Sequence, residues 1–268
     1  MVSFTSLAVT TASGTTNITA PDFPAQGVVL DSGSTAITLP DAVAGAVYEA
    51  IGADWLPALG VAIVPCQIRN VPGNFQFGFG GPNGPTINVP VSEMIYPIKD
   101  QNGVVTTIPN TNLQACEVGI SPASASGAQG SIFGDTFLRS AYVVYDLANA
   151  RIGLANTKFN ATDSNIVAFP SLNASIPSAT SVSNEVPITY AASTASSTTL
   201  AQISPAVFTG AAASAFSSAY PSGLAGTGTP KSGKKNAAEG MPSPFAWERV
   251  VLMGLTMGFM GVGGLFLL

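Results

Sequence analysis

Val28, Val29 and Leu30 run straight into Asp31, and Ser32, Gly33, Ser34 and Thr35 follow at once. Three apolar residues bounded by turn-forming ones predict a short buried strand. The carboxylate therefore stands where a strand ends. Gly33 allows a tight turn and keeps side-chain bulk away from the loop. Ser32, Ser34 and Thr35 place hydroxyl donors within reach of the aspartate. A turn of this composition is also an ordinary way to join two strands, so its chemical meaning depends on what surrounds it.

A second stretch answers that question. Ser131, Ile132, Phe133, Gly134 and Asp135 lie about a hundred residues on, followed by Thr136, Phe137, Leu138 and Arg139. Tyr142, Val143, Val144, Tyr145 and Asp146 come next, then Arg151, Ile152, Gly153, Leu154 and Ala155. In this order, residues 25–157 resemble the C-terminal lobe of a pepsin-like aspartic protease. The layout downstream is similar to the fungal yapsin-like, GPI-anchored members. The resemblance implies that Asp31 is one of two catalytic aspartates and that Ile132, Phe133 and Gly134 pass behind its loop. It implies that the Ser32 hydroxyl ties two such loops together and that the Ser34 hydroxyl bonds the catalytic carboxylate. Gly33, Ser34 and Thr35 would border a bound peptide. Asp135, in its Gly-Asp-x-Phe-Leu setting, reads as structural.

The family needs a second Asp-Ser/Thr-Gly loop, and none occurs in these residues. Its N-terminal lobe and flap tyrosine are not in them either. The expectation is an aspartic-type endopeptidase represented by one lobe, inactive alone, with a peptide or protein substrate and a missing N-terminal lobe as partners. The alternative is a non-catalytic surface or cell-wall scaffold. No cofactor or metal is expected.

Composition narrows the field further. The 268 residues contain no histidine, which excludes a Ser-His-Asp or Cys-His mechanism and every His-based metal site within them. Charged residues are 9% of the chain and the formal charge is −5, with no basic cluster that would suggest nucleic acid. Cys66 and Cys116 are the only cysteines and lack Cys-x-x-Cys spacing. They read as one disulfide worth about 2–4 kcal/mol, or as two buried thiols. The resemblance favours the disulfide, and with it an oxidising compartment.

Along the chain, residues 1–26 suit one or two strands and hold no signal peptide. That sits badly with the secretory features downstream, so a natural start before Met1 is expected. Asn17, Asn160 and Asn173 each begin an N-glycosylation sequon. A short helix is expected after Pro40, capped by Asp41 and ended by Gly52. Residues 61–120 read as short strands between turns, with a hairpin signal at Asn102 and Gly103. Phe75, Phe77 and Phe79 alternate as a half-buried strand and read as core. Residues 121–130 read as a loop of small residues, a kind that can be mobile, and the resemblance implies that it borders the cleft. The fold class is thus all-β: a curved, orthogonally packed lobe over 1–170 with one or two short helices.

From 171 to 249 the composition turns to Ser, Thr, Ala, Pro and Gly, a disordered and O-glycosylated stalk. Residues 250–268 carry no charge and suffice to span a bilayer. With Asn236 as attachment candidate and a polar spacer between, they match a GPI-anchor signal, and a retained transmembrane helix is the alternative. Either places the protein at the extracellular face of the plasma membrane or in the cell wall.

Overall fold

β1 (Val2–Thr11) is the spine of the lobe, bonded to β2 (Gly14–Asn17), β3 (Gln26–Leu30) and, across most of its length, β7 (Gly73–Phe79). Strict alternation would turn Phe4 and Leu7 to opposite faces. Both are buried, because a register shift between Phe4 and Ser6 inserts one residue and resets the phase. The structure is a computed structural model that describes residues 1–188 except Ala58 and Gln129.

The remaining elements follow in order. β4 (Ile37–Leu39) leads into α1 (Asp41–Ile51), and β5 (Asp54–Leu56) and β6 (Val61–Pro65) come next. A 3₁₀ turn, Cys66–Asn70, precedes β7, and β8 (Thr86–Pro90) is followed by α2 (Val91–Met94) and β9 (Ile95–Pro97). Then come β10 (Ala115–Val118), β11 (Ile120–Pro122), α3 (Ala123–Ser126), β12 (Ser131–Phe133) and α4 (Asp135–Leu138). β13 (Ala141–Asp146) and β14 (Arg151–Asn156) form a closing hairpin. The large sheet runs β11-β4-β12-β3-β1-β7-β8, with β2 paired to β1, and a second sheet runs β5-β6-β10-β9. The fold is mostly β, as expected, but it carries four short helices among the described residues where one or two were expected.

Five phenylalanines fill the centre. Phe4, Phe77, Phe79, Phe133 and Phe137 are at most 2% exposed and meet largely edge to face, with ring centroids 4.9–6.2 Å apart. The aromatic stripe of β7 is therefore core. The Cys66–Cys116 disulfide is formed and staples the 3₁₀ turn to β10. At residues 100–104, Asp100 N donates to the Val104 carbonyl across a turn with Gly103 at φ 79°, which is the hairpin expected at Asn102 and Gly103.

Several expectations need correction. The strand into Asp31 is present, but only Val28 in the apolar run is fully buried, and Val29 is 45% exposed. β3 is flanked by β1 and β12 within its sheet, and the Val29 face is only partly covered. Asp41 does not cap α1: Pro40 holds the N-cap position, and the Asp41 carboxylate accepts the Ser124 backbone N–H at 3.0 Å. That bond lowers the Asp41 pKa and ties the segment 121–130 to α1, and the segment contains the end of β11 and all of α3. Gly52 does end the helix, in the left-handed conformation at φ 67°.

Residues 171–188 contain no strand or helix, but they are not the disordered start of a stalk that their composition suggested, because they are hydrogen-bonded to the lobe. Val186 N donates to the Gly80 carbonyl at 3.0 Å, and Ser3 Oγ donates to the Val186 carbonyl at 2.7 Å. The bare backbone at Gly81 makes room, since a methyl there would come within 2.6 Å of Val186. Asn236, the rest of the stalk and residues 250–268 lie outside the described residues. Among the described residues no helix is long and apolar enough to cross a membrane.

Candidate active site

The Asp31 loop owes its shape to one threading event. β3 and β4 are the two legs of an arch joined by residues 31–36, and β12 runs between them, parallel to β3 and antiparallel to β4. Parallel pairing of Phe133 with Leu30 makes the two strands end side by side, so Asp31 and Gly134 emerge as neighbours. Asp31 N donates to the Phe133 carbonyl at 3.0 Å.

Behind the loop the backbones are nearly in contact. Gly134 N donates to the Ala36 carbonyl at 3.2 Å, and Asp135 N donates to the Ser34 carbonyl at 2.8 Å. A Cβ on residue 134 would stand 2.4 Å from the Ser34 oxygen and 2.6 Å from that of Ala36, so only glycine fits. Ile132, Phe133 and Gly134 thus pass directly behind Asp31. Thr136 adds a third tie, because its backbone N–H and its Oγ1 both donate to the Thr35 carbonyl at 2.9 Å.

The carboxylate is held from within the loop. Gly33 N donates to Oδ1 at 2.9 Å, and Ser34 Oγ donates to Oδ2 at 2.7 Å. These two bonds, Ser34 first, lower the Asp31 pKa against a smaller opposing effect of burial. No charged group among the described residues adds to the shift. Gly33 does not use a left-handed backbone; its value is space, since a Cβ would lie 3.1 Å from Oδ1. Ser32, Gly33 and Thr35 are exposed. Tyr145, 51% exposed on β13, donates its hydroxyl to the Leu30 carbonyl at 3.3 Å, just ahead of the aspartate.

Other candidates fall elsewhere. Asp135 pairs with Arg139 one turn on, at 3.1 Å, which suits a structural carboxylate. Asn17, Asn160 and Asn173 are all exposed. A cleft of about 620 Å³ lies between the β13–β14 turn and residues 175–185, and Asp31 does not line it. Among the described residues no group of three or more His, Cys, Asp and Glu gathers to hold a metal ion.

Tyr96, Thr136, Arg139 and Tyr145 were absent from the sequence-based set of site residues. Their sequence positions give little warning, because Tyr96 meets Thr136 across 40 residues and Tyr145 meets Leu30 across 115.

Comparison with known proteins bears on the whole arrangement. The family model described as eukaryotic aspartyl protease matches residues 3–157. The chain is similar to the probable aspartic-type endopeptidase opsB of Aspergillus oryzae, 35% identical over 189 residues, covering 69% of this chain and 36% of that protein. It is 33% identical over 136 residues to secreted aspartic protease 8 of Candida albicans, covering 51% of this chain and 28% of that protein. Among solved structures, the aspartic proteinase from Irpex lacteus aligns with a TM-score of 0.41 and 23% identity, covering 61% of this chain and 44% of that one. The chain spans about a third of the length of the curated relatives it matches.

Proposed function

Because the chain belongs to the eukaryotic aspartyl protease family, we propose that Asp31 is one of the two carboxylates of an acid endopeptidase and that residues 1–170 are its C-terminal lobe. The observation that carries this reading is the Asp31 loop itself: a carboxylate at a strand end, bonded by Gly33 N and Ser34 Oγ and buttressed by Gly134.

In such an enzyme two carboxylates about 3 Å apart share one proton, because both cannot ionise at that distance. The ionised member takes a proton from a bound water, which attacks the peptide carbonyl. The protonated member donates to the carbonyl oxygen. The pair titrates as a unit, which favours work at acidic pH. The bonds from Ser34 Oγ and Gly33 N favour the ionised form of Asp31, the form that acts as base. The exposed Ser32 hydroxyl is free to bond a second loop, and Gly33 and Thr35 are open to a peptide. Val29 and Tyr145 stand about half exposed beside the loop, apolar surface that a second lobe would cover. On this reading the lobe alone does not turn over substrate.

The formed disulfide supports an oxidising compartment, and the exposure of Asn17, Asn160 and Asn173 supports their glycosylation. We place the protein at the extracellular face of the plasma membrane or in the cell wall, with the stalk from 171 to 249 and a GPI signal or transmembrane segment at 250–268. The scaffold reading is favoured by one observation, the lone carboxylate without a charged neighbour among the described residues.

The test is an acid-pH peptide-cleavage assay on the chain alone and mixed with a partner lobe bearing its own Asp-Thr-Gly loop. Turnover is expected only in the mixture, with inhibition by pepstatin and loss in Asp31→Asn. Turnover by the chain alone overturns the single-lobe assignment. Turnover in the mixture that survives Asp31→Asn overturns the role of Asp31.

A further inference from the structure

The acid loop is tied from behind to a chain of hydrogen bonds that begins on a cation. Arg139 Nη2 donates to Tyr96 Oη at 2.5 Å, Tyr96 Oη donates to Thr136 Oγ1 at 2.7 Å, and Thr136 Oγ1 donates to the Thr35 carbonyl at 2.9 Å. The direction is forced by the ends. A guanidinium can only donate and a carbonyl can only accept. Tyr96 must therefore give its one proton to Thr136, and Thr136 must give its own to Thr35. Bonds aligned in this way polarise one another.

The surroundings are built for it. The guanidinium lies 5.1 Å from the centre of the Tyr96 ring, and its Nε and Nη1 sit 3.0 and 3.1 Å from Glu93 Oε2 and Asp135 Oδ2. Arg139 Nη2 also donates to the Glu93 carbonyl at 2.9 Å. Thr136 is fully buried. Gly119 leaves the gap in which the two side chains meet, since a Cβ there would fall 2.7 Å from both Tyr96 Cε2 and Thr136 Cγ2.

What the chain ends on matters more than its length. Thr35 follows Ser34, whose hydroxyl and backbone N–H both bond Asp31. With the Ser34 carbonyl fixed by Asp135 N and the Thr35 carbonyl fixed twice by Thr136, the Ser34 hydroxyl has little freedom to leave Oδ2. Loss of the relay leaves both backbone bonds, so the fold can survive while the loop loosens.

We propose that Tyr96 and Thr136, polarised by Arg139, are positioning residues that keep the 31–35 loop aligned on Asp31. The inference rests on Asp31 being the reactive carboxylate, but its readout does not require turnover. In the full chain, the Asp31 carboxyl is titrated by ¹³C NMR, assigned through Asp31→Asn, in wild type, Tyr96→Phe, Thr136→Val and Thr136→Ser. Tyr96→Phe removes no charged group at the acidic pH of the titration, so a shift reads the loss of the relay. Tyr96→Phe and Thr136→Val should each raise the Asp31 pKa by about half a unit as its hydrogen bonds slacken, while Thr136→Ser stays at the wild-type value. An unchanged Asp31 titration in Tyr96→Phe overturns the proposal whatever the melting temperature, and a lowered melting temperature then leaves the relay a packing feature. If Thr136→Val does not fold, the Tyr96→Phe result decides alone. Absence of peptidase activity throughout would bear on the proposed function and leave the titration outcome standing.

Discussion

Ser34 Oγ sits 2.7 Å from Asp31 Oδ2, and this contact is the largest influence on the ionisation of the acid group. A hydroxyl can donate to a carboxylate and stabilise its charge, so the bond favours the ionised form in the folded state. Ser34→Ala should return the Asp31 pKa upward toward the ordinary 3.8. The sign of the stability effect follows from linkage. A depressed folded pKa contributes stability that is present above the unfolded value and lost as pH falls through the folded one. The urea midpoint of Ser34→Ala should therefore fall below wild type at pH 6, with the gap closing as the pH falls from the ordinary 3.8 through the depressed pKa.

Glu117 behaves in the opposite sense. It lies on β10 opposite Ile63, which in turn faces Asp54 on β5, and burial raises the pKa of both carboxyls. Folding then favours the protonated form. A raised carboxyl pKa contributes stability that is present below the unfolded value, ordinarily 4.5 for Glu117, and lost as pH rises through the folded value. Glu117→Gln should remove that loss. Its urea midpoint should exceed wild type at pH 7, and the advantage should vanish near pH 4.

Gly134→Ala should be strongly destabilising. The added Cβ would meet backbone oxygens at 2.4 and 2.6 Å, and neither can rotate away as a side chain could. Overpacking of a tight site costs about 1–3 kcal/mol, and here relief requires separating β12 from the 31–36 arch. The expected result is a melting temperature lowered by several degrees together with faster hydrogen exchange at the Asp31 and Asp135 amides, both of which bond across the seam. Wild-type exchange at those amides would contradict the steric account.

Cutting the disulfide tests a different kind of stabilisation. Cys66 and Cys116 are 50 residues apart, and closing such a loop restricts the unfolded chain by about 4 kcal/mol on the entropy model. A Cys66→Ala, Cys116→Ala double variant should show a lower urea midpoint, measured by fluorescence. Reduction of the wild-type chain should reproduce the same drop, and no change under reducing conditions would show that the unfolded state is already constrained there.

The parts of this molecule that were legible in advance share a property: each is written within a few consecutive residues. The run from Val28 into Asp31 and Ser34, the Gly52 helix stop, the alternation of Phe75, Phe77 and Phe79, and the turn at Gly103 all depend on local backbone preference and side-chain period. Ile132, Phe133 and Gly134 were placed behind the loop only through family resemblance, since no periodicity reports a strand threaded between two others.

What misled was also local. Three apolar residues in a row predict burial on both faces, but Val29 is 45% exposed, because burial is conferred by neighbours and those on its face cover it only in part. Asp41 looked like a helix cap, yet its carboxylate accepts from Ser124 across 83 residues.

By itself, the sequence determined that an aspartate would stand at a strand end among hydroxyl donors, in a mostly-β lobe carrying the aspartyl protease pattern. Tertiary structure alone decided that Gly134 must be bare and that Arg139, Tyr96 and Thr136 converge on Thr35. The physical reason is range. Strand, helix and turn preferences act over a few bonds, whereas these contacts join residues up to 101 positions apart, and they exist only after strand register and packing have brought the segments together.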